Sequence, residues 1–338
     1  MALHRGNRPP LKRPFGKPPE GGGPKSFNTP PPMPALPGSA SSVSLLRIKA
    51  QKRLALRQRM GLLKHKEGGD ENLDEVERKM LDHELAIAEE LQANLLPRKV
   101  PQIPGYDVSA YYRPSREVGG DYYDFIEIDA DHLGLLVADV SGKGIPGSIV
   151  MTETRALVKS EAVRTLSPAE TLNRVNRVLY NDIKRGMFVT VFYMILSIQK
   201  GILSVVSAGH NPMVLWRKAS NTCHLVNPNG LALGIDKGPL FEKTIKEQKV
   251  QLFKGDRFVL YTDGVIESMN KNQELFGQNR FYLRVKQLAD KSSSEFLSLI
   301  VNEVEAHQGD APQHDDITIV TGRTVAEEEP VKDPVLEG

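Results

Sequence analysis

From Tyr106 onward the chain is a succession of short apolar runs separated by polar, glycine and proline breaks, the pattern of strands buried on one or both faces. The runs predict strands over Val108–Tyr112, Tyr123–Ile128, Leu133–Val140, Phe188–Ile198, Leu203–Ser207, Met213–Trp216, Val250–Phe253, Arg257–Thr262 and Ile317–Thr321. Two long helices interrupt them. One runs from Pro146 to Val163, and the next starts at Ser167-Pro168-Ala169-Glu170, where a capping box coincides with a proline at the first helical position. A third is expected from Ser293 or Ser294 to Ala306. Helices that come in contiguous pairs, without βαβ alternation, point to an α+β fold of two sheets packed face to face with helices outside.

Upstream the periodicity changes. A helix is expected from Leu73 to Leu96, stopped by Pro97, with Leu81, Leu85, Ala88, Gln92 and Leu95 stepping by four and three residues as a short heptad-like seam. Two readings stay open for it: packing on its own domain, or a dimerising helix that transmits a signal to the active site. Residues 44–66 are rich in helix formers, and Leu45, Ile48 and Ala55 lie only loosely on one face, which favours a solvated basic helix over a membrane- or nucleic-acid-binding one. Residues 1–42 hold 11 of the 23 prolines and a Gly21-Gly22-Gly23 run, so disorder is expected there. The chain thus divides into a tail (1–42), a basic helical segment and linker (43–72), a regulatory helix (73–97), a catalytic domain (98–324) and an acidic tail (325–338).

Charge sharpens this division. Residues 1–66 carry 14 Lys/Arg against one acid, Glu20, a net +13, whereas residues 67–338 carry 30 against 41, a net −11. Cys223 is the only cysteine, so no intrachain disulfide forms; together with the absence of an apolar span of about 20 residues, this suggests a cytoplasmic protein.

Four acidic motifs carry the chemistry: VGGDYYDF from Val118, VADVSGKG from Val137, YTDGVIES from Tyr261 and HDDITIV from His314. Each sets an aspartate against an apolar run, which places carboxylates at strand ends. Carboxylates converging there repel one another unless a cation lies between them. Oxygen ligands suit hard divalent ions such as Mg²⁺ and Mn²⁺, and no Cys or His cluster has zinc spacing. Cys223 has no phosphate-cradling arginine after it, so it is read as a small hydrophobe in a strand and not as a nucleophile.

In the order VGGDYYD, ADVSGKG, AGHNP, GLALGI, LYTDGVIES, FGQNRF and HDDITIV, residues from about 93 to 322 resemble the bacterial branch of the PPM metal-dependent serine/threonine phosphatases, the group that contains the sporulation and stress-response phosphatases of sigma-factor partner-switching pathways. The resemblance implies an α-β-β-α sandwich of antiparallel sheets with two Mn²⁺ or Mg²⁺ ions at one edge. It assigns metal binding to Asp121, Asp139, the Val140 carbonyl, Asp263 and Asp315, with Asp316 behind them. Two such ions can activate a water for in-line displacement at phosphorus without a covalent intermediate.

Other residues remain open. Gly119 and Gly120 are expected to turn the backbone sharply before Asp121, and Gly142 and Gly144 after Asp139. Arg113 and Arg116 are candidates for phosphate or for simple solvation. His210 and His314 are candidates for proton donation or for turn closure. By resemblance the substrate is a phosphorylated STAS-type anti-sigma-factor antagonist. Residues 1–72 are too short and polar for a sensory domain, so an upstream activator is expected on the 73–97 helix, and a homodimer with it. The alternatives are a catalytically weak binding module on the same fold and a nucleic-acid- or membrane-contacting role for the basic arm.

Overall fold

The structure, a computed structural model, describes residues 69–325. The expected tail, basic helix and acidic tail lie outside the described residues. Contacts divide the chain at Gly69 into two units, 1–69 and 70–338.

The described part opens with helix α1 (Gly69–Leu95), followed by β1 (Tyr106–Arg113), β2 (Tyr122–Glu127), β3 (His132–Val140), α2 (Ile145–Ala162) and α3 (Pro168–Asp182). Strands β4 (Val189–Ser197), β5 (Ile202–Ala208), β6 (Met213–Arg217) and β7 (Thr222–Val226) come next. After them lie α4 (Pro239–Thr244), β8 (Gln248–Gln251), β9 (Arg257–Tyr261), α5 (Asp263–Ile266), α6 (Gln278–Leu288), α7 (Ser293–Gln308) and β10 (Ile317–Thr324). Two five-stranded sheets result, ordered β1-β10-β9-β6-β7 and β2-β3-β4-β5-β8, with every neighbouring pair of strands antiparallel.

The period of two explains the layers. In β3, Leu133, Leu135 and Val137 face the core between the sheets, with Phe192, Met194, Phe258 and Leu260. Leu136, Ala138 and Val140 face the other way, into a core with Met151, Val158, Leu172 and Val175 of the helices. Both faces of the strand are therefore buried, which is why it reads as a continuous apolar run. Sheet β1-β10-β9-β6-β7 repeats the arrangement with Phe281, Val285, Phe296 and Ile300 of α6 and α7. Full burial of a side chain such as Phe192 or Leu135 stabilises the sandwich by about 2 kcal/mol each.

Half of the expected capping box on α3 is present: the Ser167 hydroxyl accepts from the Glu170 N–H, while the Ser167 N–H donates to Thr165 Oγ1 and the Glu170 carboxylate accepts from Thr165 and Arg174. Helix α1 starts at Gly69, four residues before the expected start at Leu73, and Gly69 and Asp70 are helical. Among the described residues, no helix is long and apolar enough to cross a membrane.

Candidate active site

Antiparallel pairing gathers the acidic motifs. Tyr122 at the start of β2 lies opposite Ala138 near the end of β3, so Asp121 and Asp139 share one end of their sheet. Ile319 of β10 pairs with Tyr261 at the end of β9, which brings Asp315 and Asp263 to the corresponding end of the other sheet. Asp139 is the penultimate residue of β3 and faces Thr190 across the ladder. Asp263 begins α5, and the carboxylates of the other motifs sit in the short connections before β2 and β10.

Asp121 is buried, and its Oδ2 accepts from the hydroxyls of Thr262 at 2.8 Å and Thr318 at 2.5 Å. Both threonines belong to the opposite sheet's end, so this carboxylate ties the two sheets together. Asp316 secures the same loop differently. Its Oδ1 accepts from the Ser115 N–H at 2.7 Å and hydroxyl at 2.9 Å, and its Oδ2 from the N–H groups of Gly120 at 2.6 Å and Asp121 at 3.3 Å.

The backbone bends at Gly120 as expected, but neither Gly119 nor Gly120 adopts positive φ, so these glycines act by space. A Cβ on Gly119 would sit 2.4 Å from the Tyr112 hydroxyl and 2.6 Å from Asp316 Oδ2. Gly142 and Gly144 do occupy the left-handed region, at φ 121° and 68°.

A residue of the upstream helix completes the loop. The buried Gln92 side chain donates to the Gly119 carbonyl at 2.8 Å and accepts from the Gly119 N–H at 2.9 Å. Gln92 is therefore no coiled-coil position. Of the expected seam, Leu81 is exposed, while Leu85, Ala88 and Leu95 are half-buried.

Asp139, Asp263 and Asp315 line a cleft of about 270 Å³ together with Val140, Lys143, Phe188, Thr190 and His210. Burial pushes Asp139 up to about 7, with repulsion from Asp263, Asp315 and Asp316 adding to it and Lys143 opposing. Asp263 is raised to about 6, first by burial and then by Asp315 and Glu267. Asp121 is held well above the carboxylate range, again first by burial and then by Asp139 and Asp316. Among the described residues, no three acidic, histidine or cysteine side chains close around a common point. Each carboxylate instead has its own partner: Asp121 accepts from two hydroxyls, and Asp315 Oδ2 lies 2.8 Å from Lys143 Nζ.

The remaining candidates separate clearly. Arg113 is committed to Glu305 at 2.5 Å and Gln308 at 3.2 Å on α7. Arg116 is exposed, and its guanidinium lies 3.8 Å from where a Cβ on Gly144 would project, beside the cleft loop. His210 closes its turn through reciprocal bonds with Ser207, and its Nδ1 meets Thr190 Oγ1 at 2.8 Å. Burial holds its imidazole down at about 4, against a pull upward from the Tyr261 carbonyl, which favours the neutral ring. His314 is exposed and contributes its carbonyl, to Lys143. Cys223 lies in β7, half-buried, and burial raises its thiol above the usual range. The sequence reading missed Gln92, Thr262, Thr318 and Ser115 as supports of the site; only the two threonines, which lie inside the YTDGVIES and HDDITIV motifs, had a motif to flag them.

The raised carboxylates set a pH dependence. Asp139, at about 7 in the folded chain, binds a proton that the unfolded chain releases near pH 4. Its contribution therefore lowers stability as pH rises through that window, which is the reverse of a salt-bridged aspartate. In chelator, Asp139→Asn is expected to melt above the wild type at pH 8, with the gap closing by pH 5. Calorimetry showing no gap at pH 8, or one that widens on acidification, would contradict the electrostatic account.

A sequence profile of the Stage II sporulation protein E (SpoIIE) family matches residues 129–325. Phosphoserine phosphatase RsbU of Bacillus subtilis is 32% identical over 240 residues, covering 71% of this chain and 70% of RsbU. Phosphoserine phosphatase RsbP of the same organism is 28% identical over 188 residues, which is 54% of this chain and 45% of RsbP. Among solved structures, the SiaA-PP2C domain of Pseudomonas aeruginosa superimposes with a TM-score of 0.65 at 23% identity, covering 73% of this chain and 98% of that domain. Two antiparallel sheets between helices, an acidic cleft at their shared edge and these similarities lead to one conclusion: the chain belongs to the SpoIIE family of metal-dependent PP2C/PPM-type serine/threonine phosphatases.

Proposed function

We propose that the chain removes phosphate from phosphoserine or phosphothreonine on a STAS-type anti-sigma-factor antagonist in a partner-switching pathway. The convergence of Asp139, Asp263 and Asp315 on one open cleft carries the catalytic part of this reading. Kinship with RsbU and RsbP supports the choice of substrate.

In this reading Asp121, Asp139, the Val140 carbonyl, Asp263 and Asp315 hold two Mn²⁺ or Mg²⁺ ions. The donor set fits, being all oxygen and carrying like charges whose repulsion a hard divalent cation relieves. When bound, such ions supply the positive charge that acidifies a water and offsets charge on the phosphoryl oxygens. The chain's own groups position and recognise. Thr262 and Thr318 hold Oδ2 of Asp121, Asp316 pins the backbone on either side of Val118, and Arg116 at the rim of the cleft is the guanidinium free to take a phosphate.

Helix α1 gives regulation a physical route. Gln92 grips the loop that ends in Asp121, and Met80, Ile87 and Leu91 of the same helix are 46%, 45% and 62% exposed. Their spacing by seven and four residues suits a second copy of the helix, with an upstream activator acting through that dimer.

Asp139→Asn or Asp263→Asn should each lower Mn²⁺-dependent hydrolysis of p-nitrophenyl phosphate by about 100-fold or more at saturating metal, with the fold intact by circular dichroism. Loss of only a few-fold in both would sink the assignment, and deletion of the gene without accumulation of a phosphorylated STAS protein would sink the substrate. Arg116→Ala is expected to raise KM about tenfold while Arg113→Ala shifts it less than about twofold. Equal effects of the two would remove Arg116 from the site. For α1, Ile87→Glu with Leu91→Glu should halve the mass seen by light scattering, and Gln92→Ala should weaken Mn²⁺ binding about tenfold by loosening Gly119. An unchanged mass and unchanged Mn²⁺ affinity would reduce the helix to ordinary packing.

A further inference from the structure

The geometry points to Lys143 as a binding residue for the substrate's phosphate that rests on Asp315 until divalent metal displaces it, an assignment that rests on the metal reading above. Lys143 lies between Gly142 at φ 121° and Gly144 at φ 68°, so the backbone on both sides takes a course that side-chain-bearing residues rarely follow. That course sets its side chain at the cleft. Nζ sits 2.8 Å from Asp315 Oδ2 and donates to the His314 carbonyl, and the side chain is 43% exposed. Among the described residues that line the cleft, it is the one ammonium.

Its charge also reaches beyond Asp315, because Lys143 opposes the upward shifts of both Asp139 and Asp263. In the metal-free protein, then, Lys143 does part of what a cation does: it offsets repulsion in a cluster of acids. A divalent ion on Asp315 competes for the same carboxylate and repels the ammonium, and a lysine's flexible stem lets the head group withdraw at little cost. Two divalent ions balance the four carboxylates of Asp121, Asp139, Asp263 and Asp315, and the fifth, Asp316, is met by N–H groups of Ser115, Gly120 and Asp121 and the Ser115 hydroxyl. The charge of Lys143 is then surplus, at the mouth of an open cleft, where a phosphate monoester dianion brings the negative charge that it lacks. Arg116 flanks the same loop from the other side of Gly144, so two cations frame the entrance.

A different role would use the same contacts: Lys143 could be a clip that holds His314 and Asp315 in place. The two roles predict opposite signs for metal affinity. If Lys143 yields to metal, Lys143→Gln removes a competitor and should tighten Mn²⁺ binding about threefold or more, while a clip would weaken it. Isothermal titration of the full chain with Mn²⁺ measures this directly. Titration of the Mn²⁺-loaded protein with inorganic phosphate should then show about tenfold weaker binding for Lys143→Gln, and binding within about threefold of wild type for Lys143→Arg, which keeps the charge. Weaker Mn²⁺ binding by Lys143→Gln, or unchanged phosphate affinity, overturns the assignment of Lys143 and leaves the metal reading standing. A wild type that binds no Mn²⁺ overturns both.

Discussion

Asp139 near the end of β3, and Asp121, Asp263 and Asp315 in the segments next to β2, β9 and β10, are held at one edge by strands packed in the sandwich, which limits how far the chain can relieve their repulsion by moving them apart. Other responses to the same constraint are visible around them. Asp121, Asp139 and Asp263 are all raised above the usual carboxylate range, first by burial, hydroxyls of Thr262 and Thr318 solvate Asp121, and the ammonium of Lys143 leans on Asp315. Each is a partial substitute for divalent charge. A site arranged this way costs the metal-free fold stability, which a divalent ion held there would recover.

Keeping the carboxylates close also requires backbone to approach backbone. A Cβ on Gly147 at the start of α2 would lie 2.2 Å from the Gly142 carbonyl, and one on Gly264 in α5 would lie 2.0 Å from the Asp316 carbonyl. These glycines let a helix start directly against the loops that carry the acids. Asp316 then does with one carboxylate what a strand ladder cannot do for a loop, accepting four bonds from Ser115, Gly120 and Asp121. Gln92 adds a fifth and sixth tie, from outside the sandwich. Because Gly119 lies two residues from Asp121, α1 is tied through Gln92 to the loop that carries this buried carboxylate.

Much of this fold was legible beforehand, and the misses have physical reasons. Strands β2 to β6 and β9 and β10 bury one or both faces and β1 is half-buried along its length, so their apolar runs stand out, whereas β7 buries only Val226 and leaves Thr222, His224 and Leu225 exposed. An edge strand of that kind has no alternation to read. The six residues of α4 and four of α5 are too short for a helical period to show. Helix α6 is a different case, since Phe281, Val285 and Leu288 are spaced by four and three residues and bury one face. Its signal was present and went unread between the aspartate motifs on either side.

The sequence by itself determined the strands other than β7, the capped start of α3, the order of the acidic motifs and thereby the family, because these are local: periods of two, caps and short motifs are written in neighbouring residues. It also carried the identity of the carboxylates that line the cleft. Only the tertiary structure decided which groups support them. Gln92 and Gly119 are 27 residues apart, Asp121 and Thr318 are 197 apart, and Asp316 and Ser115 are 201 apart. Nothing local marks a glutamine in a helical seam as the partner of a glycine in a later loop, or separates a committed Arg113 from a free Arg116. Those assignments depend on which sheet edge each residue reaches, and only the packing of the two sheets settles that.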